Sequence, residues 1–238
     1  MKKIIIALTV SIFSCTPLYV PNSRNAPMFR QRGEFQASGA IGNGMEVQAA
    51  YALTNHLGIV GNALFLDRKI SERFYFSNSG TNIRHTFFEG GIGYFKNYET
   101  TVFEMYAGYG RGDCYSDDDS FFSGGSWMSG AGKYSRFFIL PEFAVNKTRW
   151  NIFFAPRFSV IDFTEFNPGS GNQPVTKSPL FLFEPSLGGR LNLVGDRIMI
   201  NCQAGFSDAI GGERYFKSSS LTISAGIGFR LTRKVTVD

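Results

Sequence analysis

The sequence predicts an all-β fold: an antiparallel up-and-down transmembrane β-barrel of about ten strands, with eight as the alternative. Three observations carry this. Apolar and polar residues alternate with period two, connections between the alternating runs switch regularly between short and long, and charge on the polar face is glutamate and arginine rather than lysine. The stretch 180–206 shows the first most clearly. Phe181, Phe183, Pro185, Leu187, Gly189, Leu191 and Leu193 share one face, and Leu182, Glu184, Ser186, Gly188, Arg190 and Asn192 share the other. Val194-Gly195-Asp196 turns the chain, and Ile198, Ile200, Cys202, Ala204 and Phe206 form the apolar face of the return strand.

A chain of 238 residues suits one large β domain, and its 27 glycines and 25 phenylalanines suit tight turns and an aromatic surface. At its start, Lys2 and Lys3 precede an apolar run, 4–10, and then Ser11-Ile12-Phe13-Ser14-Cys15. That is the layout of a secretory signal, too short to span a bilayer as a helix. Its end resembles a bacterial lipobox, which implies cleavage before Cys15 and acylation of the Cys15 thiol and amine. An ordinary export signal with an incidental cysteine, or an uncleaved anchor, is the alternative. Residues 1–14 are thus expected to be the signal peptide, 15–33 a lipidated tether, and 34–238 the barrel. Loss of Lys2 and Lys3 lowers the formal charge from +5 to +3. That is too mild to suggest nucleic acid, and no basic run with interleaved aromatics occurs.

Within 16–33, Pro17, Pro21 and Pro27 stand among Asn, Ser and Arg, which reads as an extended linker. The expected strands are 34–41, 45–53, 57–66, 85–95, 101–111, 134–145, 150–161, 180–193, 197–206 and 218–231. Connections 54–56, 96–100, 146–149 and 194–196 are short, whereas 67–84, 112–133, 162–179 and 207–217 are long. Only 42–44 is short where a long one is due. Outer-membrane barrels have short periplasmic turns and long extracellular loops. Counting strands from the linker then puts both termini on the periplasmic side, with a lipid on Cys15 in the inner leaflet. Thr16-Pro17-Leu18-Tyr19 carries no acidic residue, in keeping with a periplasmic tether.

A soluble barrel would turn its apolar face inward and cover its outside with lysine. All nine lysines instead lie outside the expected strands. On the polar face stand Glu34, Glu46, Glu89, Glu104, Glu142 and Glu184, with Arg136, Arg157, Arg190, Arg197 and Arg230. Arginine pairs well with buried carboxylates because its guanidinium is planar and permanently charged. We therefore expect a lumen charge network of Glu46, Glu89, Glu104, Arg136, Glu142, Arg157, Glu184, Arg190 and Arg197. Tyr51, Tyr94 and Trp150 share the apolar parity near the short turns and are expected in an aromatic girdle. Pro141, Pro156 and Pro185 fall inside neighbouring strands without a ladder donor, so bulges are expected there, each able to reverse the parity beyond it.

Gly33-Glu34 and then Glu46-Val47-Gln48-Ala49-Ala50-Tyr51-Ala52-Leu53-Thr54-Asn55-His56 resemble uncharacterised outer-membrane β-barrel lipoproteins of Bacteroidota-type bacteria. Val20-Pro21-Asn22, followed by Pro27 and Phe29, resembles their mature start. The resemblance implies location and architecture and supplies no catalytic residues.

No cofactor or metal is expected, since no ligand spacing or nucleophile elbow occurs. His56 lies in a short turn. His85 begins a strand, but Arg84-His85-Thr86-Phe87 lacks the His-x-Ser-Asn pattern of lipid-modifying barrels. Asp113, Asp117, Asp118 and Asp119 form an acidic cluster without calcium-loop spacing, read as a solvated loop together with Phe121, Phe122 and Trp127. Phe74, Tyr75 and Phe76 are candidates for contact with a protein partner or lipopolysaccharide. Cys114 and Cys202 are read as unpaired rather than as a disulfide. The expected function is non-enzymatic: an accessory or scaffold subunit of an envelope complex, with outer-membrane lipid around it and an envelope protein as partner. The alternatives are a small-solute channel and a lipid-modifying barrel enzyme.

Overall fold

The computed structural model describes residues 17–74, 77–118, 130–168, 178–193, 197–213, 215–216 and 218–232, with backbone alone at 70–74, 77–80 and 118. The signal peptide, Cys15, Asp119, Phe121, Phe122, Trp127, Tyr75, Phe76 and the turn 194–196 lie outside the described residues, as does Phe74 beyond its backbone. The strands are β1 (Glu34–Ile41), β2 (Met45–Ala52), β3 (Leu57–Phe74), β4 (Ser77–Tyr98), β5 (Thr101–Asp118), β6 (Gly130–Asn146), β7 (Trp150–Pro168), β8 (Leu180–Leu193), β9 (Ile198–Phe206), β10 (Asp208–Gly211) and β11 (Leu221–Thr232).

Each strand pairs antiparallel with its sequence neighbour from β1 to β9. The sheet closes through β11, which runs between β9 and β1 with Phe229 opposite both Ile198 and Ala37. β9 and β10 are one wall strand interrupted at Ser207, because both pair with β8. The wall is thus a closed ten-stranded antiparallel barrel, and closure leaves no sheet edge unpaired in the bilayer.

Period two sorts the side chains. Phe88, Ile92, Phe137, Ile139, Leu187 and Ile227 are exposed on the outside, and Glu89, Arg136, Leu140, Glu184 and Arg190 are buried inside. Tyr51, Tyr94 and Trp150 are exposed on the outer face near the short turns.

Three expectations are corrected. Strand extends into the long connections: β3 and β4 pair as far as Phe74↔Ser77, and β5 runs to Asp118, taking in Asp113 and Asp117. Lys69, Lys96 and Lys133 accordingly lie in strands, all exposed. Backbone pairing continues into water, where neither face needs to be apolar, so the alternation that marks a half-buried strand disappears first.

The prolines do not shift register. The β6–β7 ladder breaks off after Ile139↔Phe158 and resumes at Phe143↔Phe154 in the same register, the gap centred where Pro141 faces Pro156. The β8–β9 ladder stops at Ser186↔Gly205 and continues in β10 at Phe183↔Asp208, so the gap contains Pro185. Missing donors open the ladder, but parity is kept: Glu184 and Ser186 both remain inside. The shift in the β6–β7 ladder lies instead between Lys133 and Tyr134.

The expected linker is the largest correction. Residues 18–29 are all buried inside the barrel. The segment leaves the short-turn rim, where the Gly33 amide donates to Ala52 O at 2.8 Å. It then climbs the lumen to the other rim, where the Tyr19 carbonyl accepts from the Ser219 amide at 2.8 Å. Pro17 is therefore at the opposite rim from Thr232, which pairs with Glu34. The two described ends do not share a side, as counting strands alone had suggested.

The core is the lumen. Near the long connections Leu18, Tyr19 and Val20 pack with Leu64, Phe87, Tyr134, Phe163 and Phe216. Near the short turns Ala26, Met28 and Phe29 pack with Phe95, Val102, Tyr106 and Phe153. Burial of each large apolar side chain contributes roughly 1.5–3 kcal/mol. Gly58 shows how closely the segment fits: a Cβ there would lie 2.5 Å from the Phe29 ring.

Candidate functional site

The polar residues of the N-terminal segment occupy the middle of the lumen, where four strands supply charge. Glu89 on β4 and, beyond the intervening β5, Arg136, Arg157 and Glu184 on the neighbouring strands β6, β7 and β8 point into the lumen and are almost fully buried. Arg136 pairs with Glu89. Arg157 Nε donates to Glu184 Oε2 at 2.8 Å, and its Nη1 lies 3.6 Å from Glu89 Oε1. Ser159 Oγ completes the Glu184 site at 2.7 Å.

Asn22 sits at the centre of these four. Its Oδ1 accepts from Arg136 Nη2 at 2.7 Å and Arg157 Nη1 at 2.9 Å, while its Nδ2 donates to Glu89 Oε1 at 2.7 Å. One amide thus meets two cations and an anion with the group each requires. Tyr19 joins the ring from above, its hydroxyl donating to Glu184 Oε1 at 3.0 Å and accepting from Arg136 Nη1 at 2.7 Å. The Arg136 guanidinium also stands 4.2 Å from the Phe87 ring centroid, a cation–π distance.

The neighbouring residues are held as firmly. The Ser23 amide donates to Glu46 Oε2 at 2.9 Å, and the Ser23 and Ser224 hydroxyls are 2.7 Å apart. Arg24 exchanges hydrogen bonds with the side-chain amide of Gln203, both at 2.9 Å, and its Nε donates to the Glu184 carbonyl at 3.0 Å. Asn25 Nδ2 reaches the carbonyl of Ala49 at 3.0 Å.

Lower down, Arg190 Nη2 and Nη1 donate to the carbonyls of Ala26 and Pro27 at 2.7 and 2.9 Å. The next turn has left-handed backbone at Met28, φ 53°, an uncommon conformation for a residue other than glycine. It turns two successive amides toward one carboxylate: Met28 N and Phe29 N donate to Glu104 Oε2 and Oε1 at 3.1 and 2.8 Å. Such paired amides form an anion-binding concavity. Glu142 stands opposite Glu104 in the ladder, fully buried, with neither carboxylate oxygen hydrogen-bonded. At the lowest level Arg230 Nε lies 2.9 Å from Glu34 Oε1.

Of the nine residues expected in the lumen network, Glu46, Glu89, Glu104, Arg136, Glu142, Arg157, Glu184 and Arg190 all lie inside. Arg197 does not. It is exposed, in the turn before β9 rather than on the strand, so strand parity does not govern its direction. The residues that sequence reasoning missed are Tyr19, Asn22, Ser23, Arg24 and Asn25. The available signal was the small size of inward positions such as Ala50, Ala52, Gly58 and Ala155, which leave a volume the wall itself cannot fill.

The remaining candidates fall in place. His85 is buried inside, with Nε2 2.8 Å from the Tyr134 hydroxyl and its ring against Tyr19, Phe87 and Tyr134. His56 stays in a short turn, stacked on Tyr94. Cys114 and Cys202 are free thiols, one buried and one exposed. Among the described residues no cluster of three or more His, Cys, Asp or Glu could hold a metal ion. On the outer wall toward the short turns, Phe103, Phe143, Ile152, Phe154 and Leu187 line an apolar groove of about 540 Å³ across β5 to β8.

No family model matches the chain, and no curated protein does. Among solved structures it is similar to the translocator domain of autotransporter NalP from Neisseria meningitidis. That match has 12% identity and a TM-score of 0.47, over 97% of this chain and 94% of that one. It is also similar to OmpTdeltaL8, a loop L8 deletion mutant of OmpT, an outer membrane protein of Vibrio cholerae. There the identity is 8% and the TM-score 0.29, over 84% of this chain and 97% of that one. Neither likeness extends to a function.

Proposed function

We propose that this protein is a lipid-anchored outer-membrane barrel, closed by its own N-terminal segment, that serves as an accessory or scaffold subunit of an envelope complex and has no enzymatic activity. One observation carries the reading: the lumen is filled by residues 18–29, every one of them buried and many hydrogen-bonded to the wall. A pathway for solutes would require that segment to leave, exposing the charges it neutralises. What the molecule offers to other molecules is its outside.

The location follows from chemistry. An apolar belt of Phe, Ile and Leu surrounds a closed barrel with Tyr51, Tyr94 and Trp150 at its lower margin, as a bilayer requires. The secretory signal read in residues 1–14 supports export of such a barrel, and acylation at Cys15 would add a lipid anchor to it. The groove across β5 to β8 is the surface on which an apolar transmembrane partner would fit.

The test is purification of a tagged copy from its native outer membrane in mild detergent, with mass spectrometry of what accompanies it and conductance in planar bilayers. We expect a stoichiometric protein partner and no conductance. A solitary barrel that conducts would replace this reading with the small-solute channel. A deletion strain with altered envelope lipid species would favour the enzyme.

A further inference from the structure

The path of the N-terminal segment decides on which side of the membrane the chain before it emerges. At the short-turn rim the Arg30 carbonyl accepts from Asn97 Nδ2 at 3.0 Å, near the β4–β5 turn. At the other rim the Pro21 carbonyl accepts from Asn43 Nδ2 at 3.2 Å, in the β1–β2 turn. Tyr19 is bridged to Ser218, and a Cβ on Gly130, the first residue of β6, would lie 3.8 Å from Leu18. The segment therefore crosses the whole barrel, and its first described residues stand beside the β1–β2 turn, the start of β6 and Ser218-Ser219 before β11.

A second feature concerns the way out. The wall is uneven: β1 and β2 have 8 residues each, whereas β3 to β7 have 17 to 22. Asn43 and Ser219, which hold the top of the segment, belong to the low side, where the β1–β2 connection is only 42–44. Strands of 8 residues fall short of the roughly 9–11 that a tilted strand needs to cross a bilayer. The rim is thus lowest, and nearest to the lipid, where the segment emerges.

We infer that the mature chain is anchored from the cell-surface side: its N-terminal end leaves the lumen over the low rim of β1, β2 and β11 and carries its acyl chains into the outer leaflet, opposite the side on which β11 ends. Cys15 precedes Pro17 by two residues, a reach of about 7 Å at full extension. The lipid part rests on the acylation read from the sequence; the side of exit rests on the path of residues 17–33. The anchor adds little to insertion, since the barrel is itself irreversible in the bilayer. Its effect is to hold the upper end of the plug in place.

Full-length protein in intact native cells provides the test. A site-specific protease sequence is inserted between Thr16 and Pro17 in one variant and after Asp238 in another, with native folding checked by heat-modifiable gel mobility. We expect added protease to cut the first in intact cells, and the second only after the outer membrane is permeabilised. Protection of the first site until permeabilisation would overturn the inference. A Thr16→Lys variant, probed with a membrane-impermeant amine reagent and mapped by mass spectrometry, gives the same readout without an insertion. Labelling with an alkynyl fatty acid, abolished in Cys15→Ser, tests the anchor separately. Surface cleavage without acylation would retain the exit side and remove both the lipid part and the anchor from the proposed function.

Discussion

Pro141 on β6 stands directly opposite Pro156 on β7, and the ladder between these strands is open around them while its register is unchanged on either side. Two residues that each lack a donor face each other in the wall of a closed barrel. Pro156 is in turn opposite Pro185 on β8, so the three form a row across neighbouring strands.

Replacing this pair by valine is expected to close the gap, but only as a pair. In Pro141→Val or Pro156→Val the remaining pyrrolidine ring still holds the strands apart, and little stability is gained. In the double variant two backbone bonds become available, at about 1 kcal/mol each. The coupling emerges from a double-mutant cycle on urea unfolding in detergent micelles. Simple additivity of the singles would mean that something other than the facing rings keeps the ladder open.

Arg157 shares its guanidinium between Glu184, at 2.8 Å, and Asn22, at 2.9 Å. Removal of one partner of a buried pair leaves an uncompensated charge and costs on the order of 3–5 kcal/mol, whereas removal of both is often tolerated. Arg157→Met should therefore lower the unfolding free energy by about that amount. Arg157→Met with Glu184→Met should recover part of the loss, less the bonds that Tyr19 and Ser159 make to Glu184. A double variant less stable than either single would show that the pair stabilises the barrel beyond neutralising its own charges.

The wall was legible in the sequence because one of its faces is apolar. Glu184 and Arg190 point inward and Leu187 and Leu191 outward for the reason that alternation indicates, and Pro185 interrupts the hydrogen bonds without changing the sides. The tall strands were legible only to the edge of the apolar belt. Beyond it, Asp67-Arg68-Lys69 are exposed on β3, and paired backbone in water leaves no pattern. The plug was illegible for a different reason. A charged lumen selects the same residues that water selects, so Asn22-Ser23-Arg24-Asn25 has the composition of a linker. The groups that hold it, Glu46, Glu89, Gln203 and Ser224, are scattered along the chain and form no local motif. Burial with partners and exposure to solvent look alike until the partners are in place.

Glu104 should govern the lower end of the plug. Its two oxygens satisfy the consecutive amides of Met28 and Phe29, and no other hydrogen bond from these amides is seen. Glu104→Ala leaves both donors buried, a penalty of about 1–3 kcal/mol each. Glu104→Gln keeps one acceptor and turns an NH₂ group toward the other amide, so its loss should be intermediate or, if the repulsion is strong, approach that of alanine. Phe29→Ala removes a ring buried against Phe95, 5.2 Å between centroids, and is expected to cost about 3–5 kcal/mol through lost packing. Unfolding midpoints in urea, measured in one detergent, rank the variants. An alanine variant as stable as the parent would mean that packing of Met28 and Phe29 alone holds the turn, and that the left-handed backbone at Met28 is not maintained by the carboxylate.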